Sequence, residues 1–122
     1  MKIYGFIKEH TESDFSKSFI DYKYHQEVDN KEEILYYLKS GYLIAATMHV
    51  IKSLFDNEII AGVSYYTDGK WIWPNYLYYY LENYDIEIPQ DFQYHIFKNI
   101  NKKISPSVAQ KGTHFLIKNK VL

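Results

Sequence analysis

Apolar residues alternate with polar ones along two neighbouring stretches and recur at helical spacing along three others, which predicts strands and helices in one domain. In YLIAATMHVIKSLF, residues 42–55, Tyr42, Ile44, Ala46, Met48 and Val50 share one face of a strand, yet Ile44, Met48, Ile51 and Phe55 also fit a helical stripe. Periodicity alone does not separate the two. The turn signal Asp56-Asn57 and the following alternation of Ile59, Ala61, Val63 and Tyr65 favour a strand paired with EIIAGVSYY as a hairpin. A second hairpin is predicted at Asp68-Gly69, because a two-residue type I′ loop requires positive φ at both positions. Counting outward from that loop sets Tyr66 opposite Trp71 and Ser64 opposite Trp73, with Gly62 next on the same face. Small residues would then leave room for two indoles lying across the sheet.

Asn30 followed by Lys31, Glu32 and Glu33 has the spacing of a capping box, and Ile34, Tyr37 and Leu38 give a helix over 31–40 its apolar face. Gly41 stands where a left-handed C-cap is expected. Pro74 ends the second hairpin and opens a helix over about 75–84. Leu77, Tyr80, Leu81 and Tyr84 form its sheet-facing stripe, while Tyr76, Tyr79 and Asn83 point elsewhere. Pro89 opens a third helix over about 90–101, with Phe92, Ile96, Phe97 and Ile100 on its apolar side. KIYGFIK at 2–8 reads as an opening strand, SFIDYKY at 18–24 as another, and THFLIK at 113–118 as an edge strand. The sum is a single α+β domain over residues 1–122: an antiparallel sheet of about four to six strands with two or three helices packed on it.

A chain of 122 residues, 47% of them hydrophobic, buries a core without covalent staples. The absence of cysteine excludes disulfides and thiolate metal sites. The most apolar run, 42–51, is broken by Thr47 and His49 and falls short of the ~20 residues of a membrane span. With no secretory-signal pattern either, a cytoplasmic location is expected. All fourteen basic residues are lysine, and without the guanidinium fork sequence-specific reading of nucleic acid is disfavoured. The net charge of −1 conceals an asymmetry: residues 1–91 carry −7 and residues 92–122 carry +6. Residues 9–33 alone hold eight acids and three lysines, a block of charge that bears on partner choice.

Catalytic and cofactor signatures are sparse. His10, His25, His49, His95 and His114 show no metal-ligand spacing, so no metal is expected, and His49 on an apolar strand reads as a core residue. A two-histidine ribonuclease assisted by Lys52 or Lys70 is chemically permitted, but only the fold could assemble it. Ser64 lacks the glycine-flanked elbow of a nucleophile, and neither a P-loop nor a GxGxxG occurs, so no cofactor is expected. IDYKYHQ interleaves rings with lysine and the basic KNINKK adds phosphate-tracking charge in the manner of a single-strand track, but acids surround the first and a solvated helix end is the preferred reading of the second. Tyr22, Tyr24, Tyr76 and Tyr79 are candidates for gripping another protein, since tyrosine offers a rigid amphipathic ring.

The stretch TDGKWIWPNYLYYYLENYDIEIPQDF resembles small bacterial proteins with a pattern of the type DGxWxWPxxLxYYxxxYxxxlPxxF, several of them similar to immunity proteins of polymorphic or contact-dependent toxin systems. The matching residues are Asp68, Gly69, Trp71, Trp73, Pro74, Leu77, Tyr79, Tyr80, Tyr84, Pro89 and Phe92, about a fifth of the chain. The resemblance implies a non-enzymatic cytoplasmic protein that binds and blocks a cognate toxin domain, usually a nuclease. Its pattern residues read as turn, aromatic pair, helix start and helix stripe, so recognition must lie elsewhere. The expected toxin-binding residues are Glu9, Glu12, Asp14, Asp21, Tyr22, Tyr24, Glu27, Asp29, Glu32 and Glu33, because a phosphate-binding nuclease presents a basic cleft. The alternative is a small nucleic-acid-binding or ribonucleolytic protein using Lys98, Lys102 and Lys103 in the lysine-rich C-terminal part.

Overall fold

The computed structural model describes residues 1–122. The elements are β1 (Lys2–Ile3), α1 (Lys31–Ser40), β2 (Tyr42–Lys52), β3 (Ile59–Thr67), β4 (Trp71–Pro74), α2 (Asn75–Tyr84), α3 (Gln90–Asn99) and α4 (Val108–Lys118), with a 3-10 turn at Phe19–Asp21. They form the expected α+β fold, with four helices and a four-stranded sheet in the order β1-β4-β3-β2. β1 runs parallel to β4 and the other pairs are antiparallel, so the sheet is mixed. No helix is long and apolar enough to cross a membrane.

Segment 42–55 is a strand through Lys52, as its alternation and the following turn predict. The second hairpin departs from its predicted register: Tyr66 pairs with Trp73 and Thr67 with Ile72. The reason is turn chemistry. The Asp68 carboxylate accepts the N–H groups of Lys70 and Trp71, and the Thr67 hydroxyl donates to the Trp71 carbonyl, which closes a four-residue loop instead of a two-residue one. Parity is kept, so both indoles still share a face with Tyr66, but the neighbours that make room for them change. Gly41 does so for Trp73, because a Cβ there would run into the indole. Gly41 has φ −61°, so its role is space and not a left-handed cap.

Gly62 serves the first hairpin. Ala46 pairs with Ser64 and Val50 with Gly62, so Thr47, Met48 and His49 bulge opposite Val63. A Cβ at Gly62 would lie 2.9 Å from the Thr47 carbonyl oxygen. His49 is therefore exposed on the bulge and is not a core residue. Ser64 is matched with Asn75, whose side chain continues the ladder past Pro74: its Oδ1 accepts Ser64 N–H at 2.9 Å and its Nδ2 donates to the Gly62 carbonyl at 2.8 Å.

The three predicted helices form, and a fourth, α4, replaces the expected edge strand at 113–118. Its Gly112 lies against the sheet, where a Cβ would be 2.8 Å from Ile44 Cδ1. Residues 18–24 form the 3-10 turn and extended chain without strand pairing, and the opening strand is only two residues long. The capping box does not form, since Asn30 is left-handed at φ 57° with no side-chain cap. Tyr76, expected to point outward, is fully buried because residues 4–11 cover that side of α2. Its hydroxyl accepts Ile7 N–H and donates to Thr11 Oγ1, which in turn bonds Tyr65.

Candidate functional site

The aromatic motif is scaffold. Trp71 and Trp73 are 6% and 1% exposed, and Phe92 of α3 stacks on Trp71 with ring centroids 4.3 Å apart. The Trp73 indole N–H donates to the Leu38 carbonyl at 3.1 Å, joining β4 to α1. Pro74 and Tyr80 are buried, Tyr79 is half-buried, and Gly69 sits at φ +100° against Val108, a position that favours glycine. Asp68 is the hub: its side chain is 2% exposed, with Oδ1 taking two backbone N–H groups and Oδ2 taking the Tyr37 hydroxyl and His95 Nε2 at 2.6 Å. These bonds tie α1, the hairpin loop and α3 to one carboxylate.

The predicted recognition residues divide. Glu9 binds the Ser18 hydroxyl and Phe19 N–H, and these bonds outweigh its partial desolvation and hold its carboxyl below the usual range. It caps the 3-10 turn. Glu12, Asp14, Asp21, Glu27, Asp29, Glu32 and Glu33 are exposed. Glu12 and Asp14 line one groove with Lys8 and Lys120, where the charges are mixed. Glu27 and Asp29 line another with Asp85, Glu87 and Lys23, where acids predominate. Asp21 lines neither, so the segment does not form one acidic patch. Tyr22 belongs to the core and not to a binding surface: its ring meets Tyr4 edge-on and its hydroxyl donates to the Phe6 carbonyl at 2.9 Å. Tyr24 is half-buried with its ring edge-on to Phe55, and its hydroxyl has no partner.

Tertiary pairing enlarges the Glu27 patch in a way no local pattern announces. His25 N–H donates to the Tyr84 carbonyl and Glu87 N–H to the Lys23 carbonyl, which lays residues 85–87 alongside 23–25. Lys31 Nζ lies 2.7 Å from Asp85 Oδ1, holding the start of α1 against the end of α2. Glu32 and Glu33 on the first turn of α1 stand one turn before Tyr36, whose ring is 67% exposed. Glu27, Asp29, Asp85 and Glu87 thus line one groove together with Lys23, and Glu32, Glu33 and the exposed Tyr36 follow on the first turns of α1.

No hydrogen bond or ring contact joins two of the five histidines. His10 is structural: Leu54 N–H donates to the Tyr80 oxygen, and the Tyr80 hydroxyl lies 2.7 Å from His10 Nε2, its natural acceptor. Burial pushes its pKa down to about 4, with Glu9 acting weakly in the opposite sense. The fold thus holds the imidazole neutral while the unfolded chain takes up a proton below about 6.5. Its contribution to stability is whole above pH 6.5, shrinks as pH falls and is exhausted near pH 4. After allowance for partial exposure this is no more than about 2 kcal/mol. Urea midpoints measured from pH 7 to pH 4 should fall for the native protein and fall less for His10→Gln.

No protein-family model, curated protein or solved structure matches this chain.

Proposed function

We propose that the protein is a non-enzymatic immunity protein that captures a cognate bacterial toxin domain in the cytoplasm and covers its active site, the toxin being a nuclease with a basic cleft. The observation that carries this reading is that seven of the eight carboxylates in residues 9–33 are exposed and make no hydrogen bond or ion pair within the molecule. Unpaired like charges repel one another and add nothing to the fold, whereas complementary charge speeds encounter and selects the partner. The acidic segment around Glu27 and Asp29 runs on into the first turns of α1, where Glu32 and Glu33 stand beside the exposed Tyr36, a residue type that dominates interface energetics. The buried aromatic motif supplies the rigid frame and leaves the chemistry of recognition to this surface.

The test is co-expression with the product of the adjacent reading frame, followed by purification and measurement of association. Replacing Glu27 and Asp29 by amides together with Glu32→Gln and Glu33→Gln should slow association about 10- to 100-fold and flatten its dependence on salt. Replacing Lys98, Lys102 and Lys103 by glutamine should leave capture intact. Loss of capture in the lysine variant but not in the acid variant would reject the reading.

A further inference from the structure

The hairpin loop, α3, α4 and the start of β1 line an open cleft of about 930 Å³. Five lysines line it from four parts of the chain: Lys2 in β1, Lys70 in the loop, Lys98 and Lys102 in and after α3, and Lys111 in α4. Its one carboxylate, Asp91, lies 3.9 Å from Lys2 with both side chains more than half exposed, so it neutralises little. Lys70, Lys98, Lys102 and Lys111 have no ionic partner in the molecule. Such a convergence of ammonium groups is self-repulsive and is relieved by a polyanion.

The lining identifies the kind of polyanion. Only three of its thirteen residues are hydrophobic, which is unlike the mostly apolar pocket of a small organic ligand. Lysine binds phosphate as a point charge, which suits a flexible phosphate backbone, and the chain's basic residues are all lysine. Tyr94, 69% exposed on α3 with Lys98 Nζ 6.0 Å from its ring centre, offers a face for a base while the lysines follow the phosphates. We infer that this cleft is a sequence-tolerant binding site for single-stranded nucleic acid, held by Lys2, Lys70, Lys98, Lys102 and Lys111 with Tyr94 as stacking platform. The site is separate from the acidic face and does not depend on the toxin reading.

Fluorescence anisotropy with a labelled oligouridylate of about a dozen nucleotides tests it, over salt from about 50 to 200 mM. The native protein should bind with a salt slope of about −3, as expected for four to five neutralised phosphates on a single strand. Lys98→Gln, Lys102→Gln and Lys111→Gln together should weaken binding at least about 30-fold and reduce the slope by about 2. Tyr94→Ala should weaken it about tenfold with the slope unchanged. All four positions are exposed, and circular dichroism confirms folding of each variant. A control triple, Lys39→Gln, Lys52→Gln and Lys118→Gln, should leave affinity intact. Absence of binding at low salt, an equal loss in the control triple, or equally tight binding of a labelled glutamate oligomer would overturn the assignment.

Discussion

Asp68→Ala is expected to destabilise the fold by about 3–5 kcal/mol, the range for removing one partner from a buried charged cluster. The carboxylate is 2% exposed and serves four donors on three elements: Lys70 N–H, Trp71 N–H, the Tyr37 hydroxyl and His95 Nε2. An alanine strands them all, and each buried donor without an acceptor costs about 1–3 kcal/mol unless water reaches it. Asp68→Asn should cost less, about 1–3 kcal/mol, because its oxygen still accepts the two backbone N–H groups, while its NH2 group cannot accept from the Tyr37 hydroxyl or His95 Nε2. Urea unfolding followed by tryptophan fluorescence reads both values, since Trp71 and Trp73 flank the hub. A cost below about 1 kcal/mol for alanine would mean that the carboxylate does not organise the loop.

Trp73→Ala should cost a similar amount, about 3–5 kcal/mol, through the cavity left between β4, α1 and α3. The indole is 1% exposed, tilts against Tyr37 and Phe92, and donates its N–H to Leu38. Gly41 supplies an internal control. Its Cβ space is filled by the indole, so Gly41→Ala should cost about 1–3 kcal/mol in the native protein and almost nothing in Trp73→Ala. Additive costs in that double-mutant cycle would contradict the packing described here. Trp73→Phe, which keeps most of the ring volume, should capture the proposed toxin domain at the native rate, as expected of a scaffold residue.

Elements whose signals are local were legible in the chain. Pro74 and Pro89 mark the starts of α2 and α3, apolar spacing marks α1, and the alternation in 42–52 and 59–67 marks the first hairpin. Features set by distant partners were not. The Asp-Gly pair marks a turn, but the long reach of the Asp68 carboxylate decided its length and hence the register. Segment 18–24 alternates like a strand, yet its Tyr22 side chain is drawn into the core by the Phe6 carbonyl. Residues 113–118 of α4 carry β-branched and aromatic residues that suit a strand. Val108, Gly112 and Leu116 recur every four residues behind Pro106, a helical signal obscured because its central contact residue is a glycine. The acidic face was half legible: Glu27, Asp29, Glu32 and Glu33 stand in one segment, but Asp85 and Glu87 join them only through backbone pairing with residues 23–25.

The most direct measurement of where recognition lies is hydrogen–deuterium exchange of the protein alone and saturated with the proposed toxin domain. New protection is expected over residues 27–36 and 85–87, with the amides of 71–73 unchanged because they are already shielded in the free protein. New protection confined to the lysine-lined cleft between the hairpin loop and α3, with the acidic face exchanging as before, would contradict that expectation.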